Sequence, residues 1–256
     1  MIDSLRPVST AACPCKICGS PAALYGVVDF NKSCEEPRGV RFALSGVPIY
    51  YRRCAGCKFL FTDAFDDWST EQFKAYIYND EYSLIDPDYQ TARPRANADA
   101  VAKLWGAIKE QTRVLDFGGG NDVFCGVLRD AGFPVAVTYD PMVPTYAARP
   151  QGKYDLVTCF ETFEHLPDPA AGIAAILEFA AEPGLIFFST LLQPPDFDQQ
   201  GLNWWYVGPR NGHVSLFSSQ ALTTAWDRHG YKVATLADNA HFAFRTLPAF
   251  LAHLQK

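Results

Sequence analysis

Two C-x2-C pairs stand 35 residues apart near the start of the chain, Cys15-x2-Cys18 and Cys54-x2-Cys57, and they constrain what this segment can become. A C-x2-C step is short enough for one tight turn to aim both sulfurs to the same side, so two steps can offer four thiolates to one ion. Four thiolates in a tetrahedron suit Zn2+ and leave no position open for a substrate, which predicts a structural ion that does no chemistry. The surrounding segment is turn-rich and has no long helical period before Ser69. Such a stretch lacks a core of its own, so metal-binding energy is expected to act as folding energy. Gly19 and Gly56 lie where a knuckle needs an unhindered backbone to turn its N–H groups toward sulfur. The alternative reading packs the four cysteines as small hydrophobes and leaves their paired spacing unexplained.

The other four of the eight cysteines carry weaker signals. Cys13 is at the wrong spacing to form a knuckle with Cys15, and Cys34 is a stray fifth thiol. Cys125 and Cys159 fall in a helix and a strand, where packing is expected. The N-terminal MIDSLRPVST has no apolar run of the signal-peptide kind. The longest apolar stretch, GIAAILEFAAEPGLIFF, is broken by Glu178, Glu182 and Pro183 and is not a membrane span. A cytoplasmic protein with reduced thiols is therefore the expectation. The 22 basic and 28 acidic residues give a net charge of −6 with no basic half, which argues against a non-specific grip on nucleic acid.

Helix and strand patterns alternate from Pro94 onward. ANADAVAKLWGAIKEQ places Val101, Leu104, Trp105 and Ile108 on one helical face, and RVLDF reads as a buried strand. A short helix DVFCGVLRDAG follows, then strands PVAVTYD and YDLVTCFE. Asp168-Pro169 opens a helix AAGIAAILEFAAE, succeeded by strand GLIFFSTLL, helix SSQALTTAWDRHG and strands YKVATLAD and HFAFRTL. This order predicts an α/β fold with a doubly wound, mainly parallel sheet over residues 91–256, its last two strands pairing as an antiparallel edge. Residues 1–90 are expected to form the zinc-binding module and a lid segment, with a helix over STEQFKAYIY capped by Ser69 or Thr70.

The turn VLDFGGGND places Gly118, Gly119 and Gly120 between a strand and a helix, where backbone can approach a ligand at the carboxyl end of a parallel sheet. Neither G-x-G-x-x-G nor G-x4-G-K-[ST] is present, so no phosphate cradle is indicated. Asp140 ends the second strand 20 residues after Gly120 and can accept both hydroxyls of a ribose. The combination points to an unphosphorylated nucleoside, of which S-adenosylmethionine is the common one. With VTYDP, YDLVTCFETFEHLPDP, GLIFFSTLL and NGHVSLFS, residues 94–256 resemble the class I methyltransferases that use S-adenosylmethionine. The resemblance implies that Asp116 and the Gly118–Gly119–Gly120 turn line the methionine and ribose portions. It also implies that Asp140 holds the ribose hydroxyls and that Phe160 and Glu161 sit at the cofactor's edge. Two departures stand out. Asp122 replaces the family's usual third glycine and reads as the N-cap of the next helix. Residues 141–153 are too few for the usual helix and third strand, so a Rossmann-like sheet shortened between its second and fourth strands is expected.

Catalytic candidates near the strand ends are Glu161, Glu164, His165 and His213, with Tyr82, Tyr89 and Tyr206 as lid or orienting groups. His213 is the favoured base, because it follows the aromatic and cationic segment from Trp204 to Gly212 after a strand. The competing reading packs Trp204 and Trp205 as a satellite core and has His213 begin a strand. Glu164 is expected to cap or pair locally and His165 to be structural first, a base second. His229, His241 and His253 read as surface or packing residues. The cysteine module followed by YNDEY and this domain also resembles the N-terminal half of sugar C-methyltransferases. The expected function is thus methylation of carbon or oxygen on a small-molecule acceptor, a carbohydrate precursor among the candidates. Rival readings are a non-catalytic cofactor-binding protein that docks a partner through its zinc module, and an RNA methyltransferase, which the acidic charge opposes.

Overall fold

The computed structural model describes residues 11–248 and 251; the N-terminal MIDSLRPVST and His253 lie outside the described residues. Four strands come first, β1 (Cys13–Pro14), β2 (Pro21–Asp29), β3 (Pro48–Cys54) and β4 (Leu60–Thr62). Helices α1 (Thr70–Tyr76), α2 (Tyr82–Ile85) and α3 (Ala92–Trp105) lead into β5 (Arg113–Phe117), α4 (Val123–Asp130), β6 (Val135–Tyr139) and β7 (Tyr154–Cys159). The remainder comprises α5 (Pro169–Leu177), β8 (Ala180–Ser189), α6 (Phe197–Gln200), β9 (Ser215–Leu216), α7 (Ser219–Asp227), β10 (Lys232–Ala237) and β11 (Ala240–Phe244).

The large sheet has the order β10-β11-β8-β7-β5-β6. Pairs β5/β6, β5/β7 and β7/β8 are parallel, and β11 runs antiparallel to both of its neighbours. Alternate residues of each strand face opposite sides, which separates two cores. Val114 and Leu156 pack with Trp105, Phe124 and Leu128 under α3 and α4. Leu115 and Val157 pack with Ile173, Ile176 and Trp226 under α5 and α7. The sheet is therefore doubly wound and mixed. Only a turn at Pro144–Tyr146 lies between β6 and β7, so among the described residues no strand flanks β6 on its outer side.

Local pattern misplaced one boundary. AAGIAAILEFAAE reads as helical throughout, but α5 stops at Leu177 and the strand begins at Ala180. Pairing with β7 overrides helical preference there, with Tyr154 opposite Ala180 and the Tyr154 amide donating to the Phe179 carbonyl at 2.8 Å. At α1 the cap is Ser69. Its hydroxyl accepts from the Gln72 amide while the Gln72 side chain accepts from the Ser69 amide at 2.8 Å.

The small sheet, β1-β2-β3-β4-β9, is antiparallel throughout. Its last strand comes from far along the chain, with Leu60 opposite Leu216 and Phe61 opposite Ser215. Phe59 meets Phe217 at 5.0 Å between ring centroids, so the cysteine-bearing segment shares its core with the face of the large sheet covered by α5 and α7.

Candidate functional site

The two knuckles close on each other. One sulfur from each of Cys15, Cys18, Cys54 and Cys57 lies within 4.8 Å of the others. Cys15 Sγ is 3.7 Å from Cys57 Sγ and Cys18 Sγ is 3.4 Å from Cys54 Sγ. A ZnS4 tetrahedron with bonds of about 2.3 Å has edges of about 3.8 Å, whereas a disulfide needs about 2.05 Å. The spacing thus fits an ion and not a bridge. The amides of Ile17 and Cys57 point at Cys15 Sγ and Cys54 Sγ, each at 3.4 Å. Their shared hydrogen bond lowers the Cys15 thiol and raises that of Cys57, so without an ion the pair's proton stays on Cys57.

The expectation for Gly56 needs correction. Gly19 has φ +76° after the first knuckle, but after the second the left-handed residue is Lys58, at φ +63°. Gly56 is needed for space, since a Cβ there would stand 2.7 Å from Ser20 Oγ. Cys125 and Cys159 are buried in the two cores, and Cys13 packs against the edge of one. Lys16, inside the first knuckle, donates to the Pro167 carbonyl at 2.9 Å and anchors the module to the loop after β7.

The glycine turn opens the carboxyl end of β5. Gly120 has φ +64° and its amide donates to Asp140 Oδ2 at 2.9 Å; the Met142 amide donates to Asp140 Oδ1 at 2.8 Å. A Cβ on Gly120 would meet no atom within 4 Å, so open space adjoins a carboxylate with lone pairs to spare. Gly119, by contrast, has no room for a Cβ, because Asp116 Oδ2 occupies it. Asp116 lies buried beneath the turn, accepts from Thr158 Oγ1 at 2.7 Å, and is raised by burial to about 7. Gly118 donates to the Tyr139 carbonyl at 2.8 Å and lies against Thr162.

Asp122 occupies the N-cap position of α4 but its side chain makes no cap. Asn121 Oδ1 accepts from the Val123 amide at 3.0 Å, and the Asp122 carboxylate instead pairs with Arg129 and accepts from Thr138 Oγ1 at 2.9 Å. The residue that replaces the third glycine therefore latches α4 to β6. Asn121 also donates to the Gln90 carbonyl at 3.0 Å, tying the segment before α3 to the turn.

Beyond β7, Glu161 takes φ +50°, a costly conformation for a side chain of its type. It is held there by Ser189, whose hydroxyl accepts from the Glu161 amide and donates to Oε1, both at 2.7 Å. Arg93 lies 3.6 Å from Glu161 Oε2 and makes two 2.8 Å bonds to Asp86. Burial raises Glu161 above the ordinary carboxylate range. Phe160 packs between Phe124 and Phe187, and a cleft of about 270 Å³ is lined by Arg93, Phe160, Glu161, Ser189 and Asn239. Arg93 carried no sequence signal, because only the docking of α3 brings it to Glu161.

A second polar cluster lies in the turn after β7 and the segment before β9. Glu164 is 0 % exposed and neither carboxylate oxygen is in hydrogen-bonding geometry, so it caps nothing; of the expected capping or local pairing, the structure shows a contact with the adjacent His165. His165 Nε2 is 3.8 Å from Glu164 Oε1. His165 Nδ1 faces the Gly212 carbonyl at 3.1 Å and His213 Nδ1 faces the Tyr206 carbonyl at 2.8 Å. A carbonyl only accepts, so both rings donate from Nδ1 and keep a lone pair on Nε2. Burial lowers both histidines, His213 further than His165, and raises Glu164 to about 7.

Cys34, unexplained in sequence, places its sulfur 3.4 Å from His213 Nδ1. Tyr206 packs on His213 at 4.2 Å, and Tyr82 is buried against Tyr78 and Tyr89 with its hydroxyl donating to the Asn211 carbonyl at 3.4 Å. Trp204 is buried as the packing reading expected, whereas Trp205 is 44 % exposed. His213 precedes β9 by two residues and is buried. His241 is a packing histidine, its Nε2 2.9 Å from the Thr190 carbonyl.

Comparison with known proteins bears on the large sheet. Residues 89–236 match a family described as a methyltransferase domain. The ubiquinone biosynthesis O-methyltransferase of Bordetella pertussis (strain Tohama I) is 47% identical over 53 residues, 21% of this chain and 22% of that protein. The enzyme of the same name from Thiobacillus denitrificans is 50% identical over 46 residues, 18% of this chain and 20% of that one. The matched stretch thus spans only about a fifth of these curated relatives. Among solved structures, magnesium protoporphyrin IX methyltransferase from Synechocystis PCC 6803 with bound SAH aligns at a TM-score of 0.45 and 15% identity, covering 72% of this chain and 97% of that one. The mitomycin 7-O-methyltransferase MmcR aligns at 0.49 and 13% identity, covering 71% and 61%.

Proposed function

The chain belongs to the family of methyltransferase domains, and on that footing we propose that it transfers a methyl group from S-adenosylmethionine to oxygen or carbon of a small-molecule acceptor. The observation that carries the reading is the open space at Gly120 beside the Asp140 carboxylate, at the carboxyl ends of β5 and β6. Gly118, Gly119, Gly120 and Asp140 would hold the nucleoside, with Asp116 bracing the turn and Phe160 and Glu161 at its edge. When bound, S-adenosylmethionine supplies an electrophilic methyl on a positively charged sulfur.

The chain's own contribution is to position the acceptor and handle its proton. His213 and His165, neutral and with Nε2 free of backbone partners, are suited to receive that proton, His213 foremost. Glu161 and Tyr82 fix the approach from the side of α2 and α3. The four cysteines hold structural zinc in a module over residues 1–90, and residues 91–256 form the cofactor domain. That order of modules is the reason to include a carbohydrate precursor among the acceptors. Incubation with S-adenosylmethionine and a panel of nucleotide sugars, phenols and keto acids tests this, read as S-adenosylhomocysteine released per enzyme. Acceptor-dependent release supports the proposal; a cofactor-binding protein that releases none with any acceptor is the non-catalytic alternative.

A further inference from the structure

We propose that Glu164, His165 and His213 form a divalent-metal site of the two-histidine, one-carboxylate kind, distinct from the four-cysteine cluster. One ligand-capable atom from each residue lies within 4.8 Å of the other two. The three come from two parts of the chain, Glu164 and His165 from the turn after β7 and His213 from the approach to β9.

Three observations favour an ion over packing. First, Glu164 is 0 % exposed with neither oxygen in hydrogen-bonding geometry, only the neutral hydroxyls of Tyr206 and Thr190 lending it weak support, and its ion-pair contact among the described residues is His165 at 3.8 Å. A buried carboxylate without a partner is strongly disfavoured, and a cation at this point would satisfy it. Second, each histidine is locked through Nδ1 to a backbone carbonyl, Gly212 for one and Tyr206 for the other. That is the outer-shell bond by which metal-ligating histidines are oriented, and it leaves Nε2 on both rings as the ligand. Third, the donor set is two imidazoles and a carboxylate with no thiolate engaged, which suits a divalent transition ion with positions left open. Bonds of about 2.1 Å in a tetrahedron separate ligand atoms by about 3.4 Å, so binding would draw the three groups inward by about an ångström.

The consequence for chemistry rests on the methyltransferase reading; the existence of the site does not. With the ion bound both Nε2 lone pairs are engaged and neither histidine acts as the base; an acceptor hydroxyl oxygen would instead occupy an open position, where the ion lowers its pKa and its proton leaves to solvent. The oxygen then forms a bond to the methyl carbon as the carbon–sulfur bond breaks, and the electron pair returns to sulfur, leaving a neutral thioether. The acceptor class implied is an alcohol, phenol or adjacent pair of oxygens.

The experiment titrates Co2+ into zinc-loaded full-length protein, followed by calorimetry and visible absorption, with S-adenosylmethionine affinity measured in parallel. One Co2+ per chain is expected, with bands of a nitrogen–oxygen site and no thiolate charge transfer. Glu164→Gln and His213→Gln should each weaken uptake at least tenfold. Should Glu164→Gln fail to fold, His165→Gln serves in its place. No Co2+ uptake by the wild type, or uptake unchanged in a folded Glu164→Gln protein, overturns the site. So does full acceptor turnover in metal-free protein that is lost in His213→Gln, which makes the histidine a base. Absence of S-adenosylmethionine binding alongside normal Co2+ uptake overturns the methyltransferase reading alone.

Discussion

Replacing Cys54 with serine removes one thiolate from the four-sulfur cluster at little cost in volume, and the structure sets the size of the effect. Cys18 Sγ and Cys54 Sγ lie 3.4 Å apart although they are 36 positions apart in sequence, so a shared ion would close a loop of that length. Loop-closure entropy for a cross-link of this span is about 4 kcal/mol. In a chain of this size each kcal/mol moves the melting temperature by about 2–4 °C, which gives a fall of roughly 8–16 °C. The loss should not stay local. β4 pairs with β9, and Phe59 packs on Phe217, so residues 213–217 are expected to loosen with the module. Zinc content by mass spectrometry, thermal melting, and amide exchange over residues 213–217 provide the assay. A Cys54→Ser protein that has lost its zinc yet melts within about 2 °C of the wild type refutes the cross-link reasoning. So does a wild type purified without zinc.

Two other perturbations probe the cofactor side. Asp116 is raised by burial to about 7, above its unfolded value of about 3.9, so the folded state prefers the protonated acid. Its stabilising contribution is complete below the unfolded value and is lost as pH rises toward 7. The stability of Asp116→Asn relative to wild type should therefore rise between pH 5 and pH 8, by about 3 kcal/mol. A difference that stays flat with pH contradicts the assignment. Arg93→Gln breaks two 2.8 Å bonds to Asp86 and the contact with Glu161. As the pair is partly exposed, the expected stability loss is only about 1–2 kcal/mol, but S-adenosylmethionine should bind about tenfold more weakly because the segment before α3 no longer holds against Glu161. Calorimetry with unchanged affinity would show that this segment does not cover the site.

What the sequence made legible was chemistry written in short spacing. The knuckles, the glycine turn and Asp140 each depend on a local backbone pattern, so the residues could be picked out before any contact was known. The helix after Asp168 is announced by its cap, but its end is not, because hydrogen bonds from β7 decide where α5 yields to β8. Gly56 and Asp122 illustrate a second kind of miss. Each sits at a position whose usual role is conformational, but Gly56 yields space to Ser20 and Asp122 pairs with Arg129 and Thr138. Long-range placements were beyond reach of pattern. Nothing near Arg93, Cys34 or Ser215 announces that they meet Glu161, His213 and Phe61, and no spacing predicts that Glu164 would be fully buried.

The central claim is that the Gly120 turn and Asp140 form a nucleoside site, and binding of S-adenosylmethionine measured by calorimetry tests it without knowledge of the acceptor. Asp140 accepts the amides of Gly120 and Met142, so Asp140→Ala removes both the brace of the turn and the carboxylate for the ribose. Binding of one cofactor per chain to the wild type, weakened at least tenfold in Asp140→Ala, is the predicted result. No binding to the wild type, or equal affinity in the folded variant, would contradict it.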